Sequence, residues 1–198
     1  MSDPDIRELQ LAVLRDRFAT RVATARALAA PLTEYQANWK PAHDRWSVAE
    51  CFRHLNETGS RYADAIAAAV SEAREAGLVA PGPYDYGWVG KRFVEAVTPG
   101  SRPMKTWGVM KPPPSAPDVS DLDAAAEVER FVQARRRLMA VCAEADGVDL
   151  GRAKMRSPVL PILRLPILAF LDVTAAHDAR HLEQAAQVTH AADFPAKP

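Results

Sequence analysis

Apolar residues recur at three- and four-residue steps in four separate stretches of this chain, and each stretch reads as an amphipathic helix. Over residues 6–30 the stripe is Leu11, Leu14, Phe18, Val22, Ala25 and Ala29. Arg15, Arg17, Arg21 and Arg26 fall mostly outside it, and Pro31 ends it. From there to Pro41 the chain reads as a connection with some extended or irregular structure. Over 47–77 the stripe runs Cys51, Leu55, Thr58, Tyr62, Ile66 and Ala69. Its start is marked by Ser47-Val48-Ala49-Glu50, a capping box in which the serine hydroxyl accepts from the Glu50 backbone N–H while the glutamate reaches back. Trp46, just ahead of the cap, is placed to pack on Cys51 one turn in, and Gly77 with Pro81 beyond it supplies a stop.

A third helix is predicted over 121–145, capped by Ser120 or Asp121, with Leu122, Ala125, Val128, Val132, Leu138, Met139 and Cys142 as its apolar positions. Gly147 and Gly151 punctuate its end, and Ser157-Pro158-Val159-Leu160-Pro161 delays regular structure. The fourth helix is predicted over 165–190 with Pro166 in its first turn. Its inward stripe is Phe170, Thr174, His177, His181, Ala185 and Val188. Four such segments predict an all-α, four-helix bundle. Residues 78–119, between helices two and three, break the pattern with prolines at 81, 83, 99, 103, 112, 113, 114 and 117 and with Tyr84, Tyr86, Trp88, Phe93 and Trp107. A crossover this rich in aromatics is expected to form an ordered excursion packed on the bundle, with a short helix near Trp88 to Val97 and an extended Lys111-Pro112-Pro113-Pro114.

Composition narrows the classes of function. At 198 residues and 48% hydrophobic, the chain suits one compact domain, residues 1–198, rather than two cores. Lys+Arg 25 against Asp+Glu 25 leaves no net field to attract nucleic acid or an anionic membrane. The densest basic cluster, Arg135-Arg136-Arg137, reads as a solvated helix face. Cys51 and Cys142 fall among apolar neighbours on predicted helices, as reduced, buried thiols do, and core packing outweighs a nucleophilic role for Cys51 beside His54. The start of the chain, Met-Ser-Asp-Pro-Asp, lacks the basic and apolar regions of a signal peptide. The longest apolar run, Val159 to Leu171, is too short for a bilayer and carries Arg164. A cytoplasmic location is therefore expected.

The candidate chemistry lies in the fourth helix. His177 and His181 stand one turn apart on one face, so both imidazoles can address one ion, and they occupy positions where core residues belong. Buried imidazoles need partners for both nitrogens, and a shared cation satisfies that demand. His54, at the edge of the second helix's inward stripe, is the other inward-facing histidine; His43 and His190 read as surface residues. Three imidazoles leave coordination positions open, the arrangement of catalytic rather than structural zinc, and nitrogen ligands also suit nickel, iron and copper. Glu50, Asp178 and Gln184 are candidates to hold the outer ring nitrogens.

The segment Trp46-Ser47-Val48-Ala49-Glu50-Cys51-Phe52-Arg53-His54-Leu55, with Ser157-Pro158 and His177-Asp178-Ala179-Arg180-His181-Leu182-Glu183-Gln184 far downstream, resembles the DinB-like superfamily. The resemblance runs roughly from Trp46 to Val188. It implies a metal-binding four-helix bundle with a long crossover, a divalent-metal site at His54, His177 and His181, and often a homodimer. Relatives include thiol transferases that use bacillithiol or mycothiol and a mycothiol-dependent maleylpyruvate isomerase. The implied function is a metal-dependent thiol S-transferase whose partners are a small-molecule thiol and an electrophile, with zinc, nickel or iron as cofactor. Two other functions are open: a metal-dependent hydrolase with Glu57 as general base, and a non-catalytic, stress-associated binding or scaffold protein with a structural metal. The excess of arginine over lysine and the abundant alanine point to a GC-rich bacterial gene, and so to mycothiol as the thiol.

Overall fold

The computed structural model describes residues 6–80, 82–101 and 119–196. Four long helices carry the architecture: α1 (Ile6–Ala29), α3 (Val48–Glu75), α5 (Ala124–Glu144) and α6 (Ile167–Thr189). Between them lie two short helices, α2 (Glu34–Asn38) and α4 (Gly87–Val97), and two three-residue strands, β1 (Lys154–Arg156) and β2 (Arg164–Pro166). α1 packs against α5 and α6, and α3 packs against the same two, so α1 stands opposite α3 and α5 opposite α6. The expected all-α bundle is present, with the small sheet and the short helix α2 added to it among the described residues. No helix among the described residues is long and apolar enough to cross a membrane.

α1, α3 and α6 bury most of the stripe their spacing predicts, whereas α5 buries Val132, Leu138 and Cys142 as expected but leaves Ala125 exposed and turns Ala124, Glu127 and Phe131 inward. One core cluster joins Leu11, Leu14 and Phe18 of α1 to Tyr62 and Ile66 of α3, Leu138 and Cys142 of α5 and Phe170 of α6. A second, toward the other end, joins Ala25, Cys51, Phe52, Leu55, Phe131, Leu182 and Val188. The capping box at Ser47 forms in full, with Glu50 N–H donating to Ser47 Oγ at 3.0 Å and Ser47 N–H donating to Glu50 Oε2 at 2.8 Å. Gly77 follows α3 at φ +67, the left-handed conformation that favours glycine after a helix.

Several boundaries differ from expectation for identifiable reasons. Residues 34–38 are helical because Thr33 and Gln36 make a second capping box. α5 is capped by Asp123, whose carboxylate accepts from Ala126 N–H at 2.9 Å. Ser120, expected at that cap, instead shares a buried network with Ser47 and Asn38, and Asp121 is not the cap either. Pro166 ends β2 and caps α6 rather than lying in its first turn, since β1 and β2 pair antiparallel with Met155 opposite Leu165. The short helix expected near Trp88 is α4, and it packs along α6. Trp107 and Lys111-Pro112-Pro113-Pro114 lie outside the described residues.

The largest correction concerns the arginine triplet. Arg136 and Arg137 are exposed, but Arg135 is 0% exposed and sits in the middle of the bundle. Its Nε donates to Asp178 Oδ2 at 2.9 Å and its Nη2 to Asp178 Oδ1, a two-pronged pair joining the opposed helices α5 and α6. The guanidinium also donates to the Leu55 carbonyl of α3 at 3.3 Å and lies 3.9 Å over the Phe131 ring. Gly59 makes room for it, because a Cβ there would fall 2.5 Å from Nη1.

Removing one partner of a buried pair leaves an uncompensated charge. Asp178→Ala is expected to lower the unfolding free energy by about 3–5 kcal/mol in a urea titration, and Arg135→Met combined with Asp178→Leu to recover most of that loss. Gly59→Ala, which pushes a methyl into the guanidinium, is expected to cost about 1–3 kcal/mol in the same titration.

Candidate metal centre

α3 and α6 are neighbours, and where they face each other the three inward histidines converge. His54 is 4% exposed and His181 9%, while His177 is half-buried, its open side being a cavity in the flank of the bundle. His54 Nε2 and His177 Nε2 lie 3.3 Å apart. The ring centroids are 5.1 Å apart for His54 and His177, 4.6 Å for His54 and His181, and 4.5 Å for His177 and His181. One ligating nitrogen from each ring falls within 4.8 Å of the others, so the group could hold a metal ion. Two nitrogens bound to tetrahedral zinc at about 2.0–2.1 Å stand roughly 3.3–3.4 Å apart, which the His54 and His177 separation matches. His43 and His190 are exposed and outside this group.

The surroundings hold the rings from outside. His181 Nδ1 and Gln184 Oε1 are 3.0 Å apart. Because the amide oxygen can only accept, Nδ1 carries the hydrogen and Nε2 keeps its lone pair for the cluster. Trp46 stacks on His181 at 5.4 Å with an interplanar angle of 10° and leans on His54 at 4.8 Å. The cap that starts α3 thus also places a wall of the site. Of the other residues considered for the outer nitrogens, Asp178 turns to Arg135, and Glu50 serves the Ser47 cap and stands 3.6 Å from Lys40 Nζ. Glu57, the base a hydrolase would require, lies on the exposed face of α3 and pairs with Arg53 at 3.3 Å.

Burial makes these imidazoles hard to protonate. Desolvation lowers His54 to about 4. Desolvation, with the neighbouring His54, lowers His181 to about 3 despite the opposing bond to Gln184. His177 is held well below its usual range by desolvation, then by the other two rings and by Arg135 and Arg180. All three are neutral at pH 7, the form in which imidazole is a metal ligand. The cysteines are unsuited to chemistry: both are buried, and burial raises the Cys51 thiol and pushes Cys142 up to about 12.

The cavity has a volume of about 560 Å³, within the range of small-molecule sites. Phe93 and Val97 of α4, Pro99 and Gly100 beyond it, and Val159 and Leu160 of the β1–β2 connection form much of its apolar wall. Arg45, Arg180, Glu183 and Gln187 add polar groups, and Arg180 is tied to the excursion through Ser101 Oγ at 2.5 Å. Tyr62, Thr58 and Arg135 also line it. Arg135, expected on a solvated face, instead stands on the buried stripe with Phe131, Leu138 and Cys142; nothing in local spacing marks Tyr62 as different from a core aromatic.

A helical bundle with three convergent imidazoles opening onto a flank cavity belongs to the class of bundles whose sites are built from facing helices. A model of the DinB superfamily matches residues 17–185, and the chain belongs to that superfamily. No curated protein and no solved structure matches the chain.

The pH dependence follows from the depressed histidines. Below about pH 6.5 the unfolded chain takes up protons on imidazoles that the folded chain refuses until about pH 4 at His54 and about pH 3 at His181. Protons therefore favour unfolding across that window, and stability falls as pH drops. The melting temperature of chelator-treated protein is expected to decline from pH 6.5 to pH 4, and the decline to be shallower in His181→Gln.

Proposed function

We propose that the chain binds a divalent metal ion through His54, His177 and His181 and is a metal-dependent thiol S-transferase that uses a low-molecular-weight thiol of the mycothiol or bacillithiol kind. Zinc, nickel and iron all suit the ligand set. The observation that carries this reading is the position of the cluster: three neutral imidazoles occupy the floor of a cavity of about 560 Å³, so an ion held there would face a ligand. A structural ion would instead be closed off by a fourth protein group, and no fourth His, Cys, Asp or Glu joins the cluster among the described residues.

A bound divalent cation would hold the sulfur of an incoming thiol as thiolate at neutral pH. The chain's own groups supply the rest. Gln184 fixes the His181 tautomer, and Trp46 fixes the plane of that ring. Phe93, Val97, Val159 and Leu160 line the cavity with apolar surface that would shield a reacting sulfur from water and favour attack on carbon over competing hydrolysis. In transfer, the sulfur lone pair forms the new carbon–sulfur bond and the leaving group departs with the pair from the bond that breaks. Family membership and the cluster's geometry support this reading.

Metal-loaded protein incubated with cysteine-type thiols and monobromobimane is expected to consume thiol faster than the uncatalysed reaction, and chelation or His177→Ala to remove at least about nine-tenths of that gain. No acceleration with any thiol, across several electrophiles, would refute the transferase; unchanged metal content in His177→Ala would refute the shared site.

A further inference from the structure

The cavity wall carries a hydrogen-bonding pattern fixed by the fold before any ligand arrives. Thr58 Oγ1 donates to the His54 carbonyl at 3.0 Å, and Thr174 Oγ1 donates to the Phe170 carbonyl at 2.8 Å. A hydroxyl has one hydrogen, and each of these is committed to its own helix. Toward the cavity both threonines therefore offer lone pairs alone.

Tyr62 is the opposite case. Its hydroxyl lies 2.8 Å from Ser157 Oγ, and either oxygen satisfies the geometry of a donor. Ser157 Oγ, however, already accepts from the backbone N–H of Val159 at 3.3 Å and of Leu160 at 3.0 Å. Those two bonds occupy its two lone pairs, so the serine hydrogen points at the Tyr62 oxygen. The phenolic hydrogen is left over, and among the described residues no second acceptor pairs with it. Tyr62 is 7% exposed, and the space it borders is the cavity beside the histidines. A buried donor without a partner costs stability that a ligand acceptor restores.

We propose that Tyr62 is the specificity-determining hydrogen-bond donor of this cavity. The ligand it selects turns an uncharged acceptor oxygen of the carbonyl type toward Tyr62 and hydroxyl or amide hydrogens toward Thr58 and Thr174. This rests on the reading of the cavity as the functional site, but it requires neither bound metal nor thiol transfer. An isosteric ligand whose oxygen is replaced by carbon would leave the phenol unsatisfied and be rejected on that account.

Acetophenone and α-methylstyrene test it, because they differ only in a carbonyl oxygen replaced by a methylene carbon. Affinities are measured by ligand-observed NMR on the full chain after EDTA treatment, which removes any direct bond from a metal to the carbonyl. The unaltered protein is expected to prefer acetophenone, and Tyr62→Phe to erase about 2- to 10-fold of that preference, the worth of one neutral hydrogen bond, while binding α-methylstyrene as before. Ser157→Ala, which keeps the phenolic hydrogen, is expected to retain the preference. Absence of any preference in the unaltered protein, binding of neither probe included, would overturn the proposal. So would a preference that survives in Tyr62→Phe, or one lost equally in both variants. Failure of the transferase reading appears separately, as missing turnover with this preference intact.

Discussion

The fold turns on one buried ion pair. Arg135 enters from α5, crosses the centre of the bundle to Asp178 on the opposed helix α6, and touches the α3 backbone at Leu55 on the way. Few arrangements place a guanidinium in a helical core, because the charge must be matched and its remaining hydrogens satisfied. Here the carboxylate, a main-chain carbonyl, the Phe131 ring and the missing side chain at Gly59 do so together. The pair consequently dictates more than stability. Asp178 follows His177 and precedes His181 by three residues, so seating its carboxylate on Arg135 sets the rotation of α6 about its axis. With that rotation fixed, both histidines are presented to the side where α3 brings His54.

The same burial governs the site's electrostatics. Enclosed imidazoles stay neutral well below their usual titration range, and an adjacent arginine that was not paired would repel any cation. Asp178 answers that positive charge within the core. It acts on the centre through Arg135 and through helix geometry, although among the described residues it forms no bond to a histidine ring. Gln184 and Trp46 hold the His181 ring, and Trp46 also rests on His54.

Much of this was legible in the sequence because it is periodic. The four stripes, the Ser47 cap and the inward placing of His54, His177 and His181 each follow from local spacing, and helices with one apolar face pack in few ways. What was not legible depends on partners distant in the chain. Arg135 looks like one member of a basic triplet until Asp178, 43 positions away, is seen opposite it. Glu50 and Ser120 carry ambiguous signals, and only the network that joins Ser47, Ser120 and Asn38 decides between them. The hairpin of β1 and β2 is too short to show alternation, and the five residues of α2 are too few to show a helical stripe, although Thr33-Glu34-Tyr35-Gln36 has the spacing of a capping box.

The three histidines are unequal in how the chain brings them together. His177 and His181 are neighbours as soon as one turn of α6 exists, whereas His54 meets His177 across 123 residues of chain. A cation held by the full triad is therefore sensitive to the docking of α3 on α6, while a cation held by the local pair is not. The difference in affinity between those two states is free energy returned to the packed form. Occupancy by the full triad and the docking of α3 on α6 would in this way be a single equilibrium, and an ion held by all three rings would act as a clasp on those two helices.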